Sequence, residues 1–471
     1  MTSFLIISAV VLLLSIVSSK LLYRLGIPTL LIFLGLGMVF GSDGLVGIDF
    51  SDYEIAKNVC SVGLVFIMFY GGFGTNWKMA KPYAVQSILL STVGVIVTAG
   101  LAGLFCCLVL RMPVLEGLLL ASVVASTDAA SVFSILRSRK LNLKGGLAST
   151  LEVESGSNDP VAYMLTMVIL MLMSQSGTSA LWVMLLKQIG FGLGIGFLLA
   201  FGSVFILKHI SLEIDGLYPI FVTAIALLSY ALTEYIGGNG YLCVYIVGII
   251  LGNTKFSHKK SLVHFFDGIS WLMQIMLFFT LGLLSFPSKM PEVILPAAAV
   301  SAFLILVARP AAVFGILKWF HIPTKQILFV SWVGLRGAAS IVFALFVISS
   351  NVSLHMDIYH MVFFIALCSV ALQGTLLPLF AKKLDLVQEE SSVMKTFTDY
   401  QEHEGTKLLE VPMTQKHRWV NQTLIEADIP DEVLVVMIKR GQEVVIPKGS
   451  TKILSDDILV LSGKSFDNIA E

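Results

Sequence analysis

Long apolar runs, separated by short polar or charged segments, fill the chain from its first residues to about residue 385. A transmembrane helix requires about 20 apolar residues in succession. Division of these runs at glycines, prolines and charge clusters predicts about thirteen such helices, of which the second and ninth are the shortest. The predicted spans are 3–22, 28–41, 56–75, 83–110, 113–137, 147–173, 180–207, 217–236, 240–252, 263–285, 291–318, 324–350 and 357–381. The pattern therefore predicts an all-α polytopic membrane protein.

The pattern changes near residue 386, where short alternating segments with turn signals replace the apolar runs. They predict a short helix and turn over 423–430 and strands over 408–412, 433–441, 443–447 and 458–462. We therefore predict three parts. Residues 1–385 form the transmembrane domain, residues 386–397 an acidic polar linker, and residues 398–471 a small, β-rich α/β domain.

Composition supports the membrane assignment and limits the function. The 471 residues are 56% hydrophobic and only 13% charged, whereas soluble domains carry about 25% charged residues. The formal net charge of +0 gives no indication of nucleic acid as a partner. None of the five cysteines has metal-ligand spacing, and the spans contain no nucleophile–base pair. We therefore expect no cofactor and do not predict an enzyme.

The distribution of basic residues between the loops predicts the orientation. If the N-terminus lies outside, the inner loops hold roughly sixteen Lys and Arg residues, whereas the outer loops hold only Arg111 and Lys289. An odd number of helices then places the C-terminus inside. The predicted location is the bacterial inner membrane, with the small C-terminal domain in the cytoplasm.

Ionisable residues inside transmembrane helices are costly and usually functional, and three predicted helices contain them. In the fifth, Asp128 lies near the bilayer centre and follows Ser126 and Thr127. Such side chains compete with the backbone for hydrogen bonds, so this stretch forms a weak helix. A local interruption here would expose carbonyl oxygens that can bind a cation.

The sixth helix carries a polar cluster of Glu154, Ser155, Asn158 and Asp159. Glu154 and Asn158 are separated by four residues, as are Ser155 and Asp159, so these side chains project from one side of the helix. Pro160 removes a backbone donor beside the carboxylate.

In the twelfth helix, Arg336 lies between two glycines, so this helix is also a candidate for interruption. Its guanidinium stays charged and needs an acid, which Glu154 or Asp128 supplies. One fixed cation cannot neutralise three acids. Asp128 or Asp159 must therefore be protonated or bind a cation. Competition between a proton and a metal cation for one carboxylate couples the flux of one to the flux of the other.

These residues resemble the NhaP/NHE branch of the cation–proton antiporter superfamily. The matching motifs are Thr127-Asp128, Glu154-Ser155-x-x-Asn158-Asp159-Pro160 and Gly334-x-Arg336-Gly337. The resemblance covers about residues 1–385. It implies thirteen helices in two inverted repeats, broken fifth and twelfth helices that cross at mid-membrane, and a homodimer in the lipid membrane. It also implies roles in pH homeostasis and cell volume regulation.

The resemblance implies a role for each site residue. Asp159 is the ion- and proton-binding acid and binds a monovalent cation only, and Thr127, Ser155 and Asp128 help to coordinate that cation. Asn158 stands where electrogenic relatives have a second Asp, which implies electroneutral exchange of one cation for one proton.

Two further features follow from the resemblance. Glu154 with Arg336 is the structural ion pair. Many relatives carry an acid in the third helix before a Gly-Gly pair, and Tyr70 occupies that place here. Either its hydroxyl supplies the contact or the site is less negative.

The tail resembles the TrkA-C, or RCK_C, regulatory domain of potassium-transport proteins. It lacks a GxGxxG motif, which excludes a nicotinamide-binding Rossmann half. The resemblance implies dimeric pairing and a small ligand, such as a nucleotide. Lys439 and Arg440 are candidates to contact an anion, although a solvated strand end explains them as well.

The leading hypothesis is K⁺/H⁺ antiport regulated by the tail, with Na⁺ as the alternative cation. A ligand-gated K⁺ efflux system or channel of the Kef type is the second hypothesis. A non-transporting membrane sensor is the third, and the retained Asp159 argues against it.

Overall fold

The computed structural model of the chain describes residues 2–23, 29–139, 141–174, 178–210, 212, 214–256, 259–350, 352–388, 407–413, 417–427, 429–430, 433–441 and 443–463. The chain divides into two compact units, Met1–Thr398 and Asp399–Glu471. The linker predicted over 386–397 lies outside the described residues from 389 onward.

The first unit is helical throughout its described length, apart from its turns and connecting segments. Its helices are α1 (Thr2–Tyr23), α2 (Thr29–Phe40), α3 (Tyr53–Gly74), α4 (Trp77–Ala80), α5 (Ala84–Leu89), α6 (Val95–Leu108), α7 (Val114–Val123), α8 (Ala129–Ser138), α9 (Leu147–Met173), α10 (Thr178–His209), α11 (Leu217–Tyr235), α12 (Gly240–Asn253), α13 (Lys259–Leu283), α14 (Met290–Phe303), α15 (Arg309–Leu317), α16 (Thr324–Trp332), α17 (Ala338–Ser349), α18 (Ile358–Cys368) and α19 (Thr375–Lys383). Short 3₁₀ turns lie at Lys81–Tyr83, Pro287–Lys289 and Lys318–Phe320, and π-helical segments at Leu90–Gly94, Leu304–Ala308 and Ser369–Gly374.

Each predicted span overlaps one helix or one group of consecutive helices, which confirms a mostly helical membrane protein. In the described residues, 8 helices are long and apolar enough to cross a membrane, and further apolar helices are only 10–17 residues long. A total of thirteen crossings stays a prediction, because these shorter helices reach the length of a span only in combination with their neighbours.

Both predicted interruptions are present. Residues 124–128 separate α7 from α8, and residues 333–337 separate α16 from α17. The two breaks touch, since the Asp128 amide donates a hydrogen bond to the Leu335 carbonyl over 2.8 Å. Backbone groups released from one broken helix are thus satisfied by the other, as an apolar surrounding requires.

Two π-helical segments position polar side chains near these breaks. A π segment adds a residue to a helical turn and is frequent at functional sites. Arg309 begins α15 directly after the segment Leu304–Ala308, and Ser369 opens the segment Ser369–Gly374. Both side chains are buried.

Apolar packing holds the breaks in place. One cluster of buried residues includes Val132 of α8, Leu151 of α9, Phe329 of α16 and Leu335 of the second break. Each of these side chains is 5% exposed or less. Because protein interiors are close-packed, these four elements are fixed relative to one another.

The second unit contains a four-stranded antiparallel sheet with the order β1-β4-β2-β3. The strands are β1 (Lys407–Pro412), β2 (Val433–Arg440), β3 (Glu443–Val445) and β4 (Ile458–Gly463), in agreement with the four predicted strands. Of the short helix and turn predicted over 423–430, the turn is present at 424–426, whereas the helix is wrong, because the described residues there form only this turn and a single β-bridge at Thr423. Trp419, Ile438 and Leu459 are buried in the core of this unit.

Candidate functional site

Asp159 lies on α9 where that helix passes the first break. Its carboxylate accepts a hydrogen bond from the Ser126 hydroxyl. It lines a cavity of about 160 Å³ and also a smaller one of about 40 Å³, which Thr127 and Asp128 share. A half-buried carboxylate that reaches two cavities is accessible to a small ion.

Ser155 and Asn158 of α9 both bind Thr127, one at its backbone carbonyl and the other at its side chain. The Ser155 hydroxyl donates to the Thr127 carbonyl over 2.6 Å, and the Asn158 amide donates to Thr127 Oγ1 over 2.5 Å. Asn158 is fully buried and Thr127 is 4% exposed. The predicted coordinating residues Ser155 and Thr127 are therefore in contact, and Asn158 binds Thr127 as well. Helix α9 thus fixes the shape of the first break.

Asp128 caps the second half of the broken helix. Its carboxylate accepts hydrogen bonds from the Ser131 amide, over 3.2 Å, and from the Ser131 hydroxyl. An acid in this position satisfies the unpaired amides at the start of α8 and lies at the positive end of the helix dipole. Asp128 thus has a structural function in the break, in addition to its place at the smaller cavity.

Arg336 does not form the predicted ion pair. Its Nη1 donates to the carbonyls of Ala125 and Ser126, over 2.6 and 2.9 Å, and its backbone amide donates to the Ser369 hydroxyl oxygen over 2.9 Å. These carbonyls follow the C-terminal end of α7, where the helix dipole is negative. The guanidinium therefore stabilises the end of a half-helix.

Glu154 pairs instead with Arg309, and this corrects the predicted pair with Arg336. Arg309 Nη1 lies 2.6 Å from Glu154 Oε1, and the two side chains are 3% and 1% exposed. The contact has the distance of an ion pair without hydrogen-bond alignment, since Glu154 Oε1 has no hydrogen-bond partner. The sequence prediction placed only Arg336 among the polar residues at mid-membrane depth and gave Arg309 no acidic partner.

This correction changes the charge balance at the crossing of the breaks. Apart from Glu152 and Asp267 on the wall of the larger cavity, the described residues at the breaks and their ion pair include three carboxylates (Glu154, Asp128 and Asp159) and two guanidinium groups (Arg309 and Arg336). If all are ionised, one negative charge remains. A single cation or a single proton neutralises it.

Two positions of the second break require glycine, because side chains of other elements approach the backbone closely there. A Cβ at Gly337 would collide with the side chain of Asp128. A Cβ at Gly334 would lie 3.0 Å from Arg309 Nε. The glycines therefore admit the carboxylate of one broken helix and the guanidinium of α15.

Tyr70 lies on α3 and also lines the larger cavity. Its hydroxyl donates to Asp267 Oδ1 of α13 over 3.0 Å, and Asp267 lines the same cavity. Sequence reasoning missed Asp267, together with Ser270 and Gln274 on the same helix. Their spacing of three and four residues is a visible polar stripe in an apolar span, which would have identified them.

The two basic residues of the tail are paired within its sheet. Lys439 contacts Glu410 over 2.6 Å, and Arg440 donates two hydrogen bonds of 2.8 Å to the Asp457 carboxylate. Partial burial would raise the pKa of Asp457, but the hydrogen bonds from Arg440 and the Leu454 amide lower it below its usual value. An anion would have to displace these carboxylates, and the predicted ligand role of Lys439 and Arg440 stays a prediction.

Comparison with known families fits this geometry. Residues 8–383 match the family described as sodium/hydrogen exchanger, transmembrane. The chain belongs to the sodium/hydrogen exchanger family. Residues 408–467 match the TrkA-C domain, so the exchanger unit is followed by a domain of that type. The interrupted helices and the polar cluster lie within the matched exchanger region.

Two similar proteins are named as potassium/proton antiporters. The K(+)/H(+) antiporter NhaP2 of Shewanella baltica (strain OS223) is 33% identical over 473 residues, which cover 98% of this chain and 81% of the relative. The K(+)/H(+) antiporter NhaP of Alkalimonas amylolytica is 38% identical over 391 residues, which cover 82% and 68%. Monovalent cation–proton exchange is therefore the activity of its named relatives.

A solved exchanger has the same fold as the membrane unit. The structure of the sodium proton antiporter MjNhaP1 from Methanocaldococcus jannaschii at pH 8 aligns with a TM-score of 0.70 at 26% identity. The alignment covers 78% of this chain and 98% of that chain. The fold thus extends over nearly the whole of that antiporter.

Proposed function

We propose that this exchanger carries one monovalent cation against one proton by competition at Asp159, with K⁺ as the preferred cation and Na⁺ as the alternative. The observation that supports it best is the charge balance at the crossing of the breaks. Two arginines offset two of three carboxylates, and Asp159 is the acid that reaches both cavities.

Coupling follows from the cost of an uncompensated charge in an apolar surrounding. An ionised Asp159 with no bound cation would leave a net negative charge in the membrane, which costs several kcal/mol. A proton or a metal cation removes that charge. The transport unit therefore rearranges only when Asp159 is loaded, and the two ions exclude each other at one carboxylate.

The same balance of charges at the crossing of the breaks supports electroneutral exchange. Asn158 adds no charge to the site, because its carboxamide is neutral, and this group donates a hydrogen bond to Thr127. One proton then exchanges for one monovalent cation, and the charge moved per cycle is zero. We expect a transport rate that does not respond to membrane potential.

The names of the relatives support K⁺ over Na⁺ for this chain. Ser155, Thr127 and the backbone oxygens of the break supply neutral ligands beside Asp159. The TrkA-C domain supports regulation by a small ligand, for which a nucleotide is the first candidate. We place the protein as a homodimer in the bacterial inner membrane, with the N-terminus outside and the C-terminus in the cytoplasm. Membership of the exchanger family does not favour a channel of the Kef type.

The test is ion exchange in proteoliposomes that contain a pH-sensitive dye. We expect K⁺ to dissipate an imposed pH gradient with saturation, and Asp159→Asn to abolish this response. The exposed Asp215, which lies outside both cavities, provides the matched control Asp215→Asn, with exchange as in the wild type.

Unchanged exchange in Asp159→Asn would refute the mechanism. A rate that follows an applied membrane potential would refute the 1:1 stoichiometry. Conductance without obligatory proton movement would instead support a channel.

A further inference from the structure

One face of α13 carries oxygen-bearing side chains along the larger cavity. Asp267, Ser270 and Gln274 are separated by three and four residues, so they lie on one side of the helix. All three line the cavity that contains Asp159, and Gln274 also lines the smaller cavity at Thr127 and Asp128. The polar face therefore extends from Asp267 to the proposed exchange site.

Such a face is costly in a helix that is mostly apolar after its first three residues, Lys259 to Ser261. Polar and ionisable residues in membrane helices are expensive, and they usually face a water-filled cavity or pathway. Gln274 Nε2 donates to Ser270 Oγ over 3.2 Å, which orders the middle of the face. The helix thus presents a sequence of oxygens to any ion that enters the cavity.

Asp267 is held at one end of this face by Tyr70. The Tyr70 hydroxyl of α3 donates to Asp267 Oδ1 over 3.0 Å. A carboxylate beside a phenol oxygen presents hard oxygen ligands, which are the type that alkali and alkaline-earth cations bind. Helix α3 thus supplies a hydroxyl at this place, and α13 supplies the negative charge.

We propose that Asp267 and Tyr70 form a mouth subsite that binds the transported monovalent cation before it reaches Asp159. This inference rests on the proposed exchange at Asp159. Asp267 concentrates cations at the cavity and orients them toward Ser270 and Gln274. The subsite determines the apparent affinity for the cation, whereas Asp159 performs the exchange with the proton.

The substitution Asp267→Asn removes the negative charge but leaves the hydrogen bond with Tyr70 in place. Asn keeps an oxygen that accepts the Tyr70 hydrogen bond, so the link between α3 and α13 remains while the charge disappears. We expect the KM for K⁺ to rise about five- to tenfold, the effect of losing one charge at contact distance in a hydrated site. The maximal rate falls no more than about twofold.

Two further variants test the assignment. Tyr70→Phe keeps the carboxylate and removes its hydroxyl neighbour, for which we expect a KM increase of about twofold. The double variant Tyr70→Glu/Asp267→Asn moves the carboxylate from α13 to α3 in the same cavity. We expect its KM to return to within about twofold of the wild type.

The assay is K⁺-dependent exchange in proteoliposomes, normalised to the protein reconstituted, with Asp215→Asn as the control. A wild-type KM in Asp267→Asn overturns the subsite. Equal losses of maximal rate in Asp267→Asn and Tyr70→Phe at constant KM also overturn it, because they indicate a structural link alone. Failure of the exchange mechanism is distinguishable, since it appears as persistent activity in Asp159→Asn.

Discussion

At the scale of single residues, the site depends on which partner each buried charge finds. Arg336 binds backbone carbonyls at the end of α7, whereas Glu154 binds Arg309. A guanidinium has five donors, and carbonyls at a helix C-terminus satisfy it as well as an acid does. The two arginines therefore have different tasks, and their substitutions should have different consequences.

The pairing of Glu154 with Arg309 predicts strong non-additivity. Arg309→Gln leaves a buried carboxylate without its partner, which should destabilise the protein by about 3–5 kcal/mol. The double variant Arg309→Gln/Glu154→Gln removes both charges and should recover most of this loss. Thermal unfolding in detergent measures the effect. If Glu154 were paired with Arg336, Glu154→Gln would rescue Arg336→Gln instead.

Asn158 predicts a pH-dependent defect in Asn158→Asp. An ionised Asp cannot donate to Thr127 Oγ1, so the break loses the contact that the Asn158 amide now makes. We expect at least a tenfold loss of exchange at pH 8. A protonated Asp regains a donor, so activity should recover partly toward pH 6. Full activity at pH 8, with a new response to membrane potential, would contradict this prediction.

At the scale of helices, the two breaks form one unit because each satisfies the backbone of the other. Asp128 caps α8, its amide binds Leu335, and its side chain packs against Gly337. The geometry of the first break therefore depends on a glycine in the second. This dependence gives a direct test of the crossing.

Gly337→Ala should displace the crossing, since the added Cβ collides with Asp128. We expect a loss of about 1–3 kcal/mol in stability and at least a tenfold loss of exchange. The control Gly194→Ala in α10 adds a methyl group where nothing lies within 4 Å. It should keep full exchange and gain up to about 1 kcal/mol from helix propensity. Equal behaviour of the two variants would argue against a tight crossing.

The interruptions of these helices were predictable, whereas their contacts were not. Ser126 and Thr127 weaken the fifth helix locally, and Gly334 and Gly337 weaken the twelfth, so each signal lies within the break itself. The partner of Glu154 depends on how α15 is rotated after a π-helical segment. That rotation is set by packing between distant helices and leaves no local pattern. Asp267 was missed, although it was predictable, because the polar stripe to which it belongs is visible in the local sequence.

At the scale of the whole molecule, the chain joins an exchanger unit to a TrkA-C domain with a core of its own. The second unit forms its sheet from its own strands, β1 to β4. Its stability is therefore a property that a fragment can report. The pairing of Arg440 with Asp457 provides the means to test it.

Asp457 predicts acid sensitivity of this unit. Its pKa in the fold is below its usual value, despite partial burial, because Arg440 and the Leu454 amide donate hydrogen bonds to it. The pKa of an Asp carboxylate in an unfolded chain is about 3.9. The stabilisation is thus complete above that value and is lost as pH falls through the lower pKa of the folded state.

We therefore expect the Tm of the segment 399–471 to fall as the pH decreases from about 5 to about 2. Asp457→Asn should lower the Tm at pH 7 and reduce this dependence, because the charged acceptor of Arg440 is gone. The neighbouring Asp456 is exposed and has a positive φ of 70°, which Asn tolerates. Asp456→Asn should accordingly keep both the Tm at pH 7 and the acid response. Circular dichroism against temperature measures all three proteins. An acid response in Asp457→Asn as large as in the wild type would show that other carboxylates determine it, since the ion pair with Arg440 would then contribute nothing.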